Sequence, residues 1–148
     1  MKMIKVLFIC NHNDARSQIA EALLHKYGQS HFLAESAGLD PKFIDPLAIE
    51  ILKEEDIDIS HKATQSAFEF FQMGKLYHYV ITMCDDSRGE KCPVFPGQTT
   101  RLHWSFKDPQ LFEGSHNEKL LHMKAIKDEI KNEVFKFIKS IDTHEISL

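Results

Sequence analysis

Apolar runs and polar breaks alternate along the chain in a rhythm that belongs to strands and helices taken in turn. Met3 to Ile9 is almost continuously apolar, as expected of a parallel strand covered on both faces. From Ser17 to Tyr27, Ile19, Leu23 and Tyr27 recur four apart with Ala20 and Leu24 beside them, which predicts a helix stopped by Gly28. His31 to Ser36 reads as a second short strand, ending at Ala37-Gly38. Behind an Asp45 cap, Pro46 opens a helix through Leu47, Ile51 and Leu52 to about Glu55. Thr64 is the expected cap of a third helix, through Phe68 and Phe71 to Met73 and closed by Gly74, with Phe68-Glu69-Phe70-Phe71 as core. Tyr77 to Met83 is a third strand, and Thr100 to Trp104 a short fourth. From about Asn117, the residues Leu120, Met123, Ile126, Ile130, Val134, Phe137, Ile138 and Ile141 form one helical stripe, followed by a frayed tail from Thr143 to Leu148.

That order predicts an α/β fold, a single domain over residues 1–148 with a four-stranded parallel sheet flanked by helices and right-handed crossovers. Ligands of such sheets sit at the carboxyl ends of strands. Cys10, Cys84 and Asp108 all fall just past predicted strand ends. The net charge of -4 supplies no global basic field to attract nucleic acid or an anionic membrane, so any anion site must be local. The first apolar run ends at Cys10, too short for a secretory core, and no later run is long enough to span a bilayer. A cytoplasmic protein is expected, and in that reducing compartment three cysteines point to catalysis or redox exchange rather than to a framework.

The candidate chemistry lies where the first strand meets the first helix. In Cys10-Asn11-His12-Asn13-Asp14-Ala15-Arg16-Ser17, five residues separate a thiol from a guanidinium. A loop of that length can curl the backbone N–H groups of Asn11, His12, Asn13, Asp14, Ala15 and Arg16 around a tetrahedral oxyanion. The helix start adds unpaired N–H groups and a dipole that favours negative charge, including a thiolate at Cys10. Arg16 brings a planar fork that holds two oxyanion oxygens at once. Most cysteines after an apolar strand are small core residues. The arginine and the helix start make Cys10 a candidate nucleophile instead.

Cys84 and Cys92 stand eight positions apart in a polar stretch that reads as a mobile loop, with Arg88, Gly89 and Lys91 between them. The spacing does not suit paired zinc ligands. On spacing alone an inert strand-end thiol and a chance loop thiol are nearly as good a reading as a redox pair. With Cys10 added, a three-thiol relay becomes available. Asp108, aimed by Pro109, is a candidate proton donor or acceptor, although a solvated turn is the commoner fate of Asp-Pro. His103-Trp104 reads as packing.

Together these residues resemble the thioredoxin-coupled arsenate reductases, built on the low-molecular-weight protein tyrosine phosphatase fold. The likeness covers nearly the whole chain: Val6 to Ala22, Glu-Ser-Ala-Gly from Glu35, Asp-Ile-Ser-His from Asp58, Val-Ile-Thr-Met-Cys from Val80, Cys-Pro-Val-Phe-Pro from Cys92 and His-Trp-Ser-Phe-Lys-Asp-Pro from His103. The resemblance implies that Cys10 attacks arsenate, Cys84 attacks Cys10 with release of arsenite, and Cys92 takes over the disulfide for reduction by thioredoxin. It implies that Ser17 hydrogen-bonds the Cys10 thiolate, Asn13 holds the loop from within, and Asp108 assists proton movement. It also brings a potassium ion to Asn13, Glu21 and Ser36, but Gln65 or Ser66 stands where the family carries an aspartate, which counts against potassium activation. Asp14 is a second departure and is expected to point outward at the rim. The rival readings are a phosphotyrosine phosphatase using Cys10, Arg16 and Asp108, and a non-enzymatic oxyanion or redox sensor. Against the first, Gln110 and Leu111 follow Pro109 where those phosphatases typically carry tyrosines.

Overall fold

A computed structural model describes residues 3–86 and 97–146, with side chains described through Ile141. Four parallel strands, β1 (Ile4–Cys10), β2 (Phe32–Gly38), β3 (Tyr79–Thr82) and β4 (Thr100–His103), form one sheet in the order β2-β1-β3-β4. The helices are α1 (Arg16–Gly28), α2 (Pro46–Lys53), α3 (Ala67–Gln72) and α4 (His116–Ile146). The chain leaves β1 for one neighbour and later returns to β1's other side, so the strand order reverses between β1 and β3. A crevice opens at the carboxyl ends of the strands at such a point. Cys10 ends β1 there, and Met83 N–H continues the ladder onto Ile9 O at 2.8 Å, which brings Cys84 to the same edge.

Alternation along β1 divides the core. Val6, Phe8 and Cys10 face the large cluster under α1, α2 and α4, whereas Leu7 and Ile9 join Ala67, Phe70 and Val80 on the opposite face. The expected α4 stripe is the buried one, with Met123, Ile126, Ile130, Val134, Phe137 and Ile141 all in the core.

Several expectations change in detail. β2 starts at Phe32, one residue later than expected, because Gln29–His31 form a short 3-10 turn, and it ends at Gly38 where Cys10 pairs with it. The third helix is capped by Ser66, whose Oγ accepts from Glu69 N–H at 3.2 Å, not by Thr64. Ser66 bridges to Gly38, and the extended backbone this requires delays the helix start. That helix is too short to bury its whole aromatic run: Phe70 is core, but Phe68 is 64% and Phe71 50% exposed. α4 continues past Thr143 to Ile146, where fraying was expected.

Away from the crevice, α1, α2 and α4 are tied together by the buried Glu55 carboxylate. It accepts from Tyr27 Oη at 2.6 Å, Lys127 Nζ at 2.9 Å and Lys131 Nζ at 2.9 and 3.0 Å. Burial alone would push its carboxyl up, but these donors and the lysine charge outweigh it and bring it down to about 2. Because the folded value is depressed, the stabilisation is complete above the ordinary carboxylate range and is lost as pH falls toward 2. Glu55→Gln should cost about 2 kcal/mol in urea melts at pH 7 by removing the carboxylate on which Lys127 and Lys131 converge and leaving buried Lys127 only the Asp128 carboxylate, 3.2 Å away. The gap between variant and parent should narrow steadily in the same melts between pH 4.5 and 2.5.

Candidate active site

Residues 11–15 join β1 to α1, and no side chain caps the helix at Ala15. The loop's carbonyls are engaged on the outside: Asn11 O accepts from Asp40 N–H at 2.9 Å, His12 O from Lys42 N–H at 3.1 Å, Asp14 O from Asp45 N–H at 2.9 Å and Ala15 O from Ile19 N–H at 2.8 Å. In a planar trans peptide, C=O and the following N–H point in opposite directions. The N–H groups of His12, Asn13, Ala15 and Arg16 are therefore turned to the inside of the curl, where they make a cradle for an oxyanion.

Asn13 fixes the curl. It takes the left-handed conformation (φ 54°), which asparagine tolerates better than most residues. Its Oδ1 accepts from Gln18 Nε2 at 3.1 Å and Gln65 N–H at 2.9 Å, while Nδ2 donates to Ser17 Oγ at 2.7 Å. Ser17 Oγ lies 2.9 Å from Cys10 Sγ, and with Asn13 donating to it, its own hydrogen is available to the sulfur. Gly38 lets β2 approach: a Cβ there would stand 2.8 Å from Asn13 N and from His12 C.

Arg16 is buried, with Nη1 donating to Met83 O at 3.1 Å and Phe106 O at 3.2 Å, so it binds the end of β3 to the segment after β4. Its Nη2 lies 3.9 Å from Asp108 Oδ1. Asp108 is buried rather than solvated; it caps the turn Pro109–Leu111 by accepting from Gln110 N–H at 3.0 Å, and its own N–H meets Asp85 Oδ2 at 3.3 Å. A cavity of about 440 Å³ opens beside this turn, lined by Asp85, Lys107, Asp108, Leu111, Phe112, Glu113 and His122. A larger one, about 600 Å³, involves Ile4, Tyr77 and His78 at the opposite end of the sheet, away from the thiols.

Asp14 corrects an expectation. It does not project from the rim but is only 7% exposed, its Oδ2 accepting from Gln110 Nε2 at 2.7 Å. The amide supplies the partner that lets a carboxylate stay inside. Asp45 nearby has its carboxyl raised by burial, a rise only partly offset by the Leu47 N–H and reinforced by the Asp14 charge. His103 is also more than packing: its Nδ1 is 2.6 Å from Thr82 Oγ1 and its Nε2 2.9 Å from Asp86 Oδ1, which ties the residues after Cys84 to β4. Trp104 does pack, 5.8 Å from Phe8 between ring centres.

Cys10 is a buried free thiol, and Cys84, also buried, is disulfide-bonded. Cys92 lies outside the described residues. The structure thus gathers Cys10, Asn13, Arg16, Ser17, Cys84 and Asp108 at one crevice. Asp85, Gln110 and Gly38 were missed as site residues; adjacency to Cys84, to Pro109 and to the end of β2 was the only signal for them.

The oxygens expected for potassium do not fit a cation. Asn13 Oδ1 already takes two N–H donors, Glu21 Oε1 accepts from Ser36 Oγ at 2.7 Å, and Glu21 Oε2 is held by Lys62 Nζ at 2.5 Å. Gln18 Oε1 is buried without a partner, but one amide oxygen is no cage.

Residues 5–146 match the family described as low molecular weight phosphotyrosine protein phosphatase. The chain belongs to that family. Within the low molecular weight phosphatase family it is similar to an arsenate reductase of Bacillus subtilis, 32% identical over 133 residues that cover 89% of this chain and 93% of that protein. It is similar in structure to an arsenate reductase in a phosphate-binding state, with TM-score 0.76, 27% identity, and coverage of 94% of this chain and 99% of the other. A thioredoxin-dependent arsenate reductase of Corynebacterium glutamicum superposes with TM-score 0.71 at 34% identity, covering 96% of this chain and 63% of its own.

Gly38→Ala tests the cradle. The added methyl meets backbone rather than a movable side chain, so stability should fall by about 1–3 kcal/mol in denaturant melts. Calorimetric titration should show weaker inorganic phosphate binding at the same time.

Proposed function

We propose that the chain reduces arsenate to arsenite with a thiol relay through Cys10, Cys84 and Cys92, regenerated by thioredoxin in the cytoplasm. The observation that carries this reading is the second thiol: Cys84 sits buried at the end of β3 beside Cys10 and is disulfide-bonded while Cys10 is free. Ester hydrolysis on this fold needs a nucleophile, an arginine and an acid. It has no use for a disulfide at the crevice. The similarity to arsenate reductases supports the same reading.

In this mechanism the loop N–H groups and Arg16 hold arsenate, and the Cys10 thiolate displaces one arsenic-bound hydroxyl, which leaves as water with a proton from Asp108. Cys84, as thiolate, then attacks Cys10 sulfur. The electron pair of the sulfur–arsenic bond passes to arsenic, which falls from the +5 to the +3 state and leaves as arsenite. A Cys10–Cys84 disulfide remains. Cys92 thiolate attacks Cys84, frees the Cys10 thiolate and leaves a disulfide that the thioredoxin dithiol reduces.

The test is NADPH oxidation by the purified protein with thioredoxin and thioredoxin reductase, with and without arsenate. Arsenate-dependent turnover is expected, and Cys92→Ser should abolish multiple turnover while leaving a single equivalent of arsenite. Absence of turnover together with steady hydrolysis of an aryl phosphate would give the site to a phosphatase.

A further inference from the structure

Glu21 is buried on α1, one turn beyond Ser17, and the reaction proposed above has no role for it. A carboxylate removed from water needs hydrogen bonds and a counter-charge. Ser36 supplies the hydrogen bond to Oε1, and Lys62 the charge at Oε2. The lysine enters from the side: its side chain is 34% exposed against 7% for Glu21, yet its ammonium reaches the buried oxygen. An ion pair between two exposed side chains would be worth little. Here one of the two charges is inside.

Lys62 also belongs to the segment that shapes the anion loop. Next to it, Ala63 O accepts from Gln18 Nε2 at 3.4 Å. Gln65 N–H donates to Asn13 Oδ1 at 2.9 Å, and Gln65 O accepts from Gly38 N–H at 2.9 Å. From Asn13 the bonds run on through Ser17 Oγ to Cys10 Sγ. The ammonium therefore neutralises Glu21 and pins to α1 the segment whose Gln65 N–H holds Asn13.

We propose that the Lys62 ammonium acts as a tethered monovalent cation, occupying on Glu21 the place a free potassium ion would otherwise take, and that it makes the anion loop independent of potassium. Lys62 is a positioning residue: it acts on the cradle through Glu21 and through the Gln65–Asn13 bond, without touching the oxyanion. The inference concerns the loop, which both a reductase and a phosphatase would use, so it stands apart from the reaction assigned above.

The experiment compares the parent chain with Lys62→Met in potassium chloride and in choline chloride at equal ionic strength, reading Tm and the Kd for inorganic phosphate. The parent should give the same Tm and Kd in both salts. Lys62→Met, which keeps the length of the side chain and removes its charge, should lose about 5 °C in choline. It should also bind phosphate about tenfold more weakly there, a change of about 1.4 kcal/mol. In potassium chloride both values should move back toward the parent. Should the variant not fold in choline, recovery of the fold in potassium chloride supports the proposal. Three outcomes overturn it: a potassium-specific rise in the parent's Tm, a variant identical to the parent in both salts, or a variant whose loss potassium does not repair. Failure of arsenate turnover would leave these readouts intact.

Discussion

The Asn13 amide is the joint on which the crevice depends. Its backbone lies in a conformation that most residues resist, and its side-chain amide joins two parts of the molecule: α1 through Gln18 and Ser17, and the segment before α3 through Gln65. The strained turn and the polar network hold each other in place. A loop left to itself would turn some carbonyls inward, and the cradle would lose its sign.

Around this joint the topology does the gathering. The reversal of strand order between β1 and β3 leaves Cys10 and Cys84 on adjacent strand ends although they are far apart in sequence. Arg16 then reaches across to Met83 O and Phe106 O, so the residue that would balance an anion's charge also holds the two later segments at the crevice. Gln110 adds a link of the same kind, with its backbone on Asp108 and its side chain on Asp14. Asp108 and the anion loop are thereby kept in one frame.

Much of this was legible in the sequence because it follows from periodicity. The apolar run of β1, the four-apart pattern of α1 and the long stripe of α4 each state which face is buried, and the Cys-x5-Arg spacing states what the loop can bind. What could not be read depends on contacts between distant segments. Thr64 and Ser66 are equally good caps in isolation, and only the Ser66–Gly38 bridge decides between them. Asp14 looks like a surface residue until Gln110, in a separate turn, offers it an amide. Lys62 looks like a solvated lysine until the fold brings the buried Glu21 beneath it. Phe68 and Phe71 mislead in the opposite sense, since composition says core while a six-residue helix has only one side to bury.

The inward-facing N–H groups carry a further consequence. A cradle made of backbone measures shape and charge, and phosphate and arsenate share both. Binding can therefore do little to separate them, and the common cellular anion is a standing competitor for the loop. Selection falls on the chemistry after binding: arsenic accepts two electrons from sulfur, and phosphorus under the same attack does not. In such an enzyme the choice of substrate is made by the second thiol and not by the pocket.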